Sequence, residues 1–324
     1  MAESTLSFGY DELEIAVAYF LYGKDPGDLT AAQDVVVDAV IQTGYRQFIY
    51  PPATEGVPLG YTWTFLHPTT TIDTITTYDT GTLEVSAGTC TITTGTWPSW
   101  AATHGTLTID GTEYSITSRD SDAELTVVGD DVAAGEEDWT LEHNGNQDLP
   151  DDFGRLVDGF TFEVNAQVVN VLADVGEGKI RRLRVNMDEI NRPRVAGIRV
   201  KAIEDDEGQR KEVMWYPRPD DVYTMSYKYE AFVGKLETTN YPLGGMSHSE
   251  TIKLSCLAAA DALVNDNYGI HWENFLRQLV SSVHRDMKEQ TQQFGDVGTK
   301  NTYERYGDAR PFGYGLTVNG TRIE

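Results

Sequence analysis

Apolar residues near the start of the chain recur at helical spacing. Leu13, Val17, Phe20 and Leu21 form one stripe, which predicts a first helix closed by Gly23 and the Asp25-Pro26-Gly27 turn. Thr30 precedes a second stripe, with Gln33 placed to complete a capping box. Val36, Val37, Val40, Ile41, Gly44, Tyr45 and Phe48 carry that stripe to Pro51-Pro52, where the prolines stop it.

The period then changes. From Tyr61 to about His143 the chain is rich in Thr and Gly, lacks Lys and reads as β-structure. TLEVSAGTCTITTG has the form of strand, glycine turn and strand. GTLTIDGTEYSI predicts a hairpin around Asp110-Gly111, two residues that tolerate the positive φ of a tight turn. AELTVVG and DWTLEH add strands. The pattern predicts a small inserted β-sandwich or barrel, with Trp63, Trp97, Trp100, Tyr114 and Trp139 in its core or rim. Beyond Leu149, the segments GFTFEV, GIRVKAI, KEVMWY and VYTMSYKYEAF read as strands of a second antiparallel unit. In the last of them Tyr223, Met225, Tyr227 and Tyr229 alternate with Thr224, Ser226 and Lys228. EDDEGQR is a charged turn, and KIRRLRV fits helix and strand alike.

Helical period returns after Leu243. Ser247 and Glu250 form another capping-box pattern, followed by Ile252, Cys256, Ala259 and Leu263 on one face. A final helix carries Trp272, Phe275, Leu276, Leu279, Val280, Val283 and Met287, the cleanest amphipathic stripe in the chain. The expected fold class is α+β. Helices from both ends, in residues 1–60 and 241–290, pack as one four-helix bundle. Residues 61–145 form the β insertion, 146–240 the second antiparallel β unit, and 291–324 an extended C-terminal arm.

Charge is the compositional outlier. The 324 residues carry 25 Lys and Arg against 51 Asp and Glu, a net charge of −26. Such a surface repels phosphates and argues against tight binding to the outside of a duplex. It is equally the composition of a protein adapted to high salt. The only cysteines, Cys90 and Cys256, lie far apart, which gives no disulfide framework and fits a reducing cytoplasm. MAESTLSFGYDELEI has no apolar core of a signal peptide, and no apolar run approaches the roughly 20 residues of a membrane helix.

Candidate chemistry is sparse. GEGKI, from Gly176 to Ile180, has the lysine of a phosphate loop without its spacing or hydroxyl. GMSHS, from Gly245 to Ser249, lacks the second glycine that lets a nucleophile elbow close, and helix capping explains Ser247. His67, His104, His143, His248, His271 and His284 show no metal-binding spacing, and His248 and His284 are expected at the surface near helix ends. The pairs Asp130-Asp131, Asp151-Asp152, Asp205-Asp206 and Asp220-Asp221 fall at turns, where solvated carboxylates are common. No catalytic residue, cofactor or metal is therefore expected. An alternative keeps Trp97, Trp100 and Trp139 on an open β face that stacks on sugars, as in a carbohydrate-binding tail or capsid-decoration protein.

Several segments carry a family resemblance in order. FLYGKD, GYRQFIYPP and YTWTFLHP open it, and TWPSWAATHGTLTIDGTEYSITSRDSDAELTVV is similar to the β insertion of one subgroup. LPDDFGRL, WYPRPDDVYTMSYKY and PLGGMSHSETIKLSCLAAADAL complete it. Together they resemble head–tail connector (adaptor) proteins of tailed bacteriophages, over nearly the whole chain to about Gln290. The resemblance implies a four-helix connector core and a homo-oligomeric ring of twelve copies. That ring sits at the neck of the virion after assembly in the host cytoplasm. It binds the portal protein on one side and tail, stopper or nozzle proteins on the other. Genome DNA crosses its channel without specific binding, and no membrane is involved.

The resemblance does not cover the arm, which has its own pattern. It holds Phe294, Tyr303, Tyr306, Phe312 and Tyr314 with few aliphatics, so it is expected to order on a partner. Lys300, Arg305, Arg310 and Arg322 give it a basic character opposite to the body. Phe294, Tyr303, Arg305, Tyr306, Arg310, Phe312 and Tyr314 are the expected partner-binding residues.

Overall fold

The computed structural model describes residues 3–129, 138–162, 173–201, 208–265 and 269–290, and two short strands at 317–318 and 321–322. It is a mixed α+β protein with antiparallel sheets. The chain opens with α1 (Tyr10–Tyr22) and α2 (Ala31–Ile49). Gly23 ends α1 in the left-handed region at φ 63°. The predicted capping box forms: Gln33 N–H donates to the Thr30 hydroxyl, and Thr30 N–H donates to the Gln33 side chain.

After β1 (Thr69–Asp73) comes the insertion: β2 (Leu83–Ser86), β3 (Thr89–Ile92), the single-turn α3 (Ala101–His104), β4 (Gly105–Ile109), β5 (Thr112–Arg119), β6 (Glu124–Val127) and β7 (Trp139–His143). Its strands make one antiparallel sheet in the order β2-β3-β6-β5-β4-β7, curled into a half-barrel. The β4–β5 hairpin turns at Asp110 and Gly111 with φ of 46° and 75°. Leu83, Cys90, Trp97, Leu107, Leu125 and Leu141 fill the concave side. The strands after it are β8 (Asn146–Asp148), β9 (Phe153–Phe162) and β10 (Ala173–Asp174). Then follow α4 (Glu177–Asn186), β11 (Val195–Val200), β12 (Lys211–Tyr216) and β13 (Thr224–Ala231). The ambiguous KIRRLRV segment is thus helical. It docks Ile180 onto the sheet, and β11 and β12 pair beneath it.

The second β unit differs from the single antiparallel array expected. It is two sheets, β1-β13-β9 and β10-β11-β12-β8, and β10 runs parallel to β11. The two share a core of Ile72, Phe160, Val213, Trp215, Met225 and Tyr227. The predicted alternation holds in β13, where Met225, Tyr227 and Tyr229 are buried. Thr69–Asp73 pairs with β13, so its hydrogen bonds lie outside the half-barrel.

α5 (Gly245–Asn265) and α6 (Ile270–Gln290) follow, and then the short pair β14 (Thr317–Val318) and β15 (Thr321–Arg322). α1, α2, α5 and α6 share one hydrophobic core, in which Leu13, Ile41, Phe48, Ile252, Phe275 and Leu279 are fully buried. Several expectations are corrected here. Trp63 belongs to this core, not to the β insertion. It stacks on Phe48 at 4.6 Å, and its Nε1–H donates to the Phe48 carbonyl at 2.9 Å. The buried Asp286 carboxylate holds the same segment, accepting from the Tyr61 hydroxyl, the Thr64 hydroxyl and Thr64 N–H. Ser247 is no N-cap, because the Gly244-Gly245 turn starts α5 two residues earlier. His248 is buried against Phe48, Trp63 and Phe65 rather than exposed. Leu263 is 55% exposed, since the last turn of α5 runs past the core.

The helices come closest at Gly44. A Cβ there would lie inside the contact radius of the Cys256 backbone. Gly44→Ala therefore opposes two effects. Helix propensity favours alanine by about 1 kcal/mol, whereas overpacking a rigid backbone contact costs typically 1–3 kcal/mol. We expect a net loss of stability in chemical denaturation, with Leu279→Ala losing about 2–5 kcal/mol as the reference cavity mutant. A Gly44→Ala protein as stable as wild type would show that α2 and α5 can slide apart freely.

Candidate functional site

A polar cluster lies where the half-barrel meets the four-stranded sheet. β7 ends at His143, and β8 begins at Asn146, so only Asn144 and Gly145 separate the two sheets. Gly145 sits at φ 73°, where an added Cβ would meet the Arg184 and Arg218 side chains. Arg184, delivered by α4, donates to Asn146 Oδ1, the Gly145 carbonyl and the Trp215 carbonyl, each at 2.8 Å. Arg218, from the chain after β12, bridges Glu142 of the half-barrel at 3.0 Å and Asp188 after α4 at 2.8 Å. Two guanidiniums therefore stitch three segments together across the pivot.

Two histidines complete this seam. His104 and His143 meet edge to face at 5.6 Å, and Trp100 covers His143 at 4.9 Å. Gly145 N–H donates to His143 Nδ1 at 3.2 Å. Burial, with the charges of His104, Arg184 and Arg218, pulls His143 down to about 3, so it is neutral near pH 7. Burial also lowers His104. Burial and the neighbouring Arg218 bring Arg184 down to about 10, which leaves it cationic.

One donor set in this region has metal-like proximity. His104, Asp148 and Glu212 offer ligand atoms within 4.8 Å of one another. Both carboxylates already have cations: Arg199 pairs with Glu212, and Lys201 with Asp148 at 2.9 Å. The set is charge-balanced without an ion, and we read it as a structural network. The sequence motifs likewise take structural roles. Ser249 of GMSHS donates to the Gly245 carbonyl at 3.0 Å and accepts from Phe8 N–H at 3.2 Å, deep in the first turns of α5. GEGKI is the start of α4. A concavity of 310 Å³ beside α2 is lined by Gln42, Tyr45 and Lys235; Gln42 exchanges hydrogen bonds with the Leu236 backbone there.

The aromatic residues of the insertion are mostly inward. Trp97 and Trp139 are buried edge to face at 5.0 Å, and Trp97 Nε1–H donates to the Ala123 carbonyl at 3.1 Å. Their faces are spent on the core, while Trp100, the third tryptophan of the sugar-stacking alternative, is half-buried beside His143. The arm residues Phe294, Tyr303, Arg305, Tyr306, Arg310, Phe312 and Tyr314 lie outside the described residues. No described helix is long and apolar enough to cross a membrane. No protein-family model matches the chain, and comparison with curated proteins gives no match.

Sequence reasoning missed Arg184, Arg218, His104 and His143 as a group, because no periodicity links them. The one signal was the run of cations in KIRRLRV within an acidic chain. The seam makes a pH prediction. The folded value of His143 is depressed to about 3 from an ordinary 6.5, so its contribution is present above 6.5 and is lost as pH falls through that window. Melting temperature should drop more steeply between pH 6.5 and 4 for wild type than for His143→Gln. Parallel acid profiles for the two proteins would remove His143 from the seam's energetics.

Proposed function

We propose that this chain is a structural adaptor of a tailed bacteriophage, acting at the head–tail junction without catalysis. It assembles as a ring of twelve copies that docks on the portal, receives tail, stopper or nozzle proteins, and lets the genome pass through its channel. The observation that carries this reading is the helical core closed by both chain ends, with two β units carried outside it. That arrangement gives a rigid centre and independent outward modules, as a junction between two rings requires. The net charge of −26 supports it, since an acidic channel wall lets phosphates slide without binding. The Arg184 and Arg218 guanidiniums support it as well, because they are spent on backbone carbonyls and ion pairs that tie the sheets together.

Electron microscopy of the purified full chain, alone and with the portal of the same virus, tests the reading. A ring with a central hole, seated on the portal, is the expected result. Truncation after Gln290 should leave the melting temperature unchanged while portal binding weakens sharply, because the arm supplies the docking aromatics and cations. A chain that never binds a portal, or one with robust hydrolytic turnover abolished by a single substitution, would overturn the proposal.

A further inference from the structure

One short stretch of this acidic chain is locally basic. Between Lys179 and Arg194 it carries six of the 25 Lys and Arg residues, against only Asp188 and Glu189. Arg184 is turned inward and used in the seam. Lys179, Arg182 and Arg194 are exposed, with no carboxylate partner among the described residues. Arg181 pairs with Glu177 at 2.8 Å, but both are solvent-exposed, so the pair is weak and easily exchanged. Helical geometry explains the grouping. Ile180 and Leu183 face the sheet, which sends Arg181, Arg182 and Val185 outward.

Apolar surface accompanies these cations. Val185 is 87% exposed and Met187 65%, and Ile190 follows them in the exposed turn. Exposed aliphatics beside unpaired cations are the composition of a protein contact, with an apolar centre and a charged surround. Phosphate recognition has no use for the aliphatic part.

The complementary surface is on the same chain, at the other part of the fold. From Asp11 to Asp38 the sequence has seven carboxylates and one cation, Lys24; Asp38 is already paired with Lys235 at 2.8 Å, which leaves six. The strip spans the outer sides of α1 and α2, where Val35 is 68% exposed and Ile15 and Tyr19 are also open. Crowding there is physical. Burial, then the charges of Asp34 and Asp11, holds the Glu14 carboxyl above its ordinary range. A cation arriving from outside would relieve that repulsion.

We propose that the basic face of α4 docks on the acidic α1–α2 face of a second copy of this chain, head to tail. Two different patches pairing in this way give a heterologous contact, which closes into a ring when the rotation allows. The inference deepens the ring reading and rests on it for closure. It adds the contact that builds the ring, and it accounts for the segregation of charge in an acidic protein.

Charge reversal tests it on the full chain. One variant carries Arg181→Glu with Arg182→Glu, and the other Asp28→Lys with Asp34→Lys. All four residues are exposed, so folding should be retained, and circular dichroism checks this. A neutralising pair, Glu14→Gln with Asp34→Asn, repeats the acidic arm without placing a lysine in the first turn of a helix. Assembly is read by mass photometry, alone and with the portal, at low and high salt. Wild-type assembly should weaken with salt, and each reversal should weaken it by about tenfold or more at low salt. An equimolar mixture of the two reversal variants should assemble again, since every contact then pairs opposite charges. If rings form and neither reversal weakens them, or if the mixture fails to restore assembly, this interface is wrong while the ring reading stands. If the wild-type chain stays monomeric both alone and on the portal, both fall. Duplex DNA binding that is lost in the α4 variant, with assembly unchanged, would assign the face to nucleic acid and overturn the proposal.

Discussion

The packing of α2 against α5 at Gly44 is the contact on which the remaining architecture depends. The missing side chain lets the Cys256 backbone sit directly on α2. The Ser255 hydroxyl then donates to the Gly44 carbonyl at 2.7 Å, across 211 residues of sequence. Because these two helices come from opposite ends of the chain, everything between them must leave the core and return to it. The β units are therefore excursions. Their termini are fixed by the core, while their outer loops are free to vary without disturbing it.

Two further anchors control those excursions. Asp286 of α6 holds Tyr61 and Thr64 at the exit from the helical core, and Trp63 is wedged beside them. At the pivot between the half-barrel and the four-stranded sheet, Arg184 and Arg218 satisfy backbone carbonyls and carboxylates of three segments. Both guanidiniums are half-buried, and a rotation at Gly145 would pull Arg184 away from the carbonyls it donates to. Losing those bonds opposes movement at the junction. The junction thereby sets the half-barrel at one angle to the four-stranded sheet.

Electrostatics adds a direction to the subunit. The overall charge of −26 is uneven: cations gather at α4, and carboxylates crowd the outer sides of α1 and α2. Uniform acidity would repel an acidic partner from every side, whereas segregated charge gives the surface a direction that salt screens.

Residue spacing by itself determined the four helices of the shared core, the Asp110-Gly111 hairpin and the alternation of β13, because each is a local periodicity with a turn or cap at its end. It also indicated that the chain ends would pack together, through the matching apolar stripes of the first and last helices. Spacing left KIRRLRV undecided and assigned Trp63 to the wrong unit. It also placed His248 at the surface and expected one antiparallel array where two sheets share a core. Those outcomes depend on partners distant in sequence. Trp63 is settled by the Phe48 carbonyl that accepts its N–H, and His248 by the three rings around it. The polar seam was invisible for the same reason, since Arg184, Arg218, His104 and His143 lie on separate elements. Sequence carries the period of an element, but only the tertiary structure decides which buried polar group meets which acceptor, because that pairing is made across space and leaves no repeat along the chain.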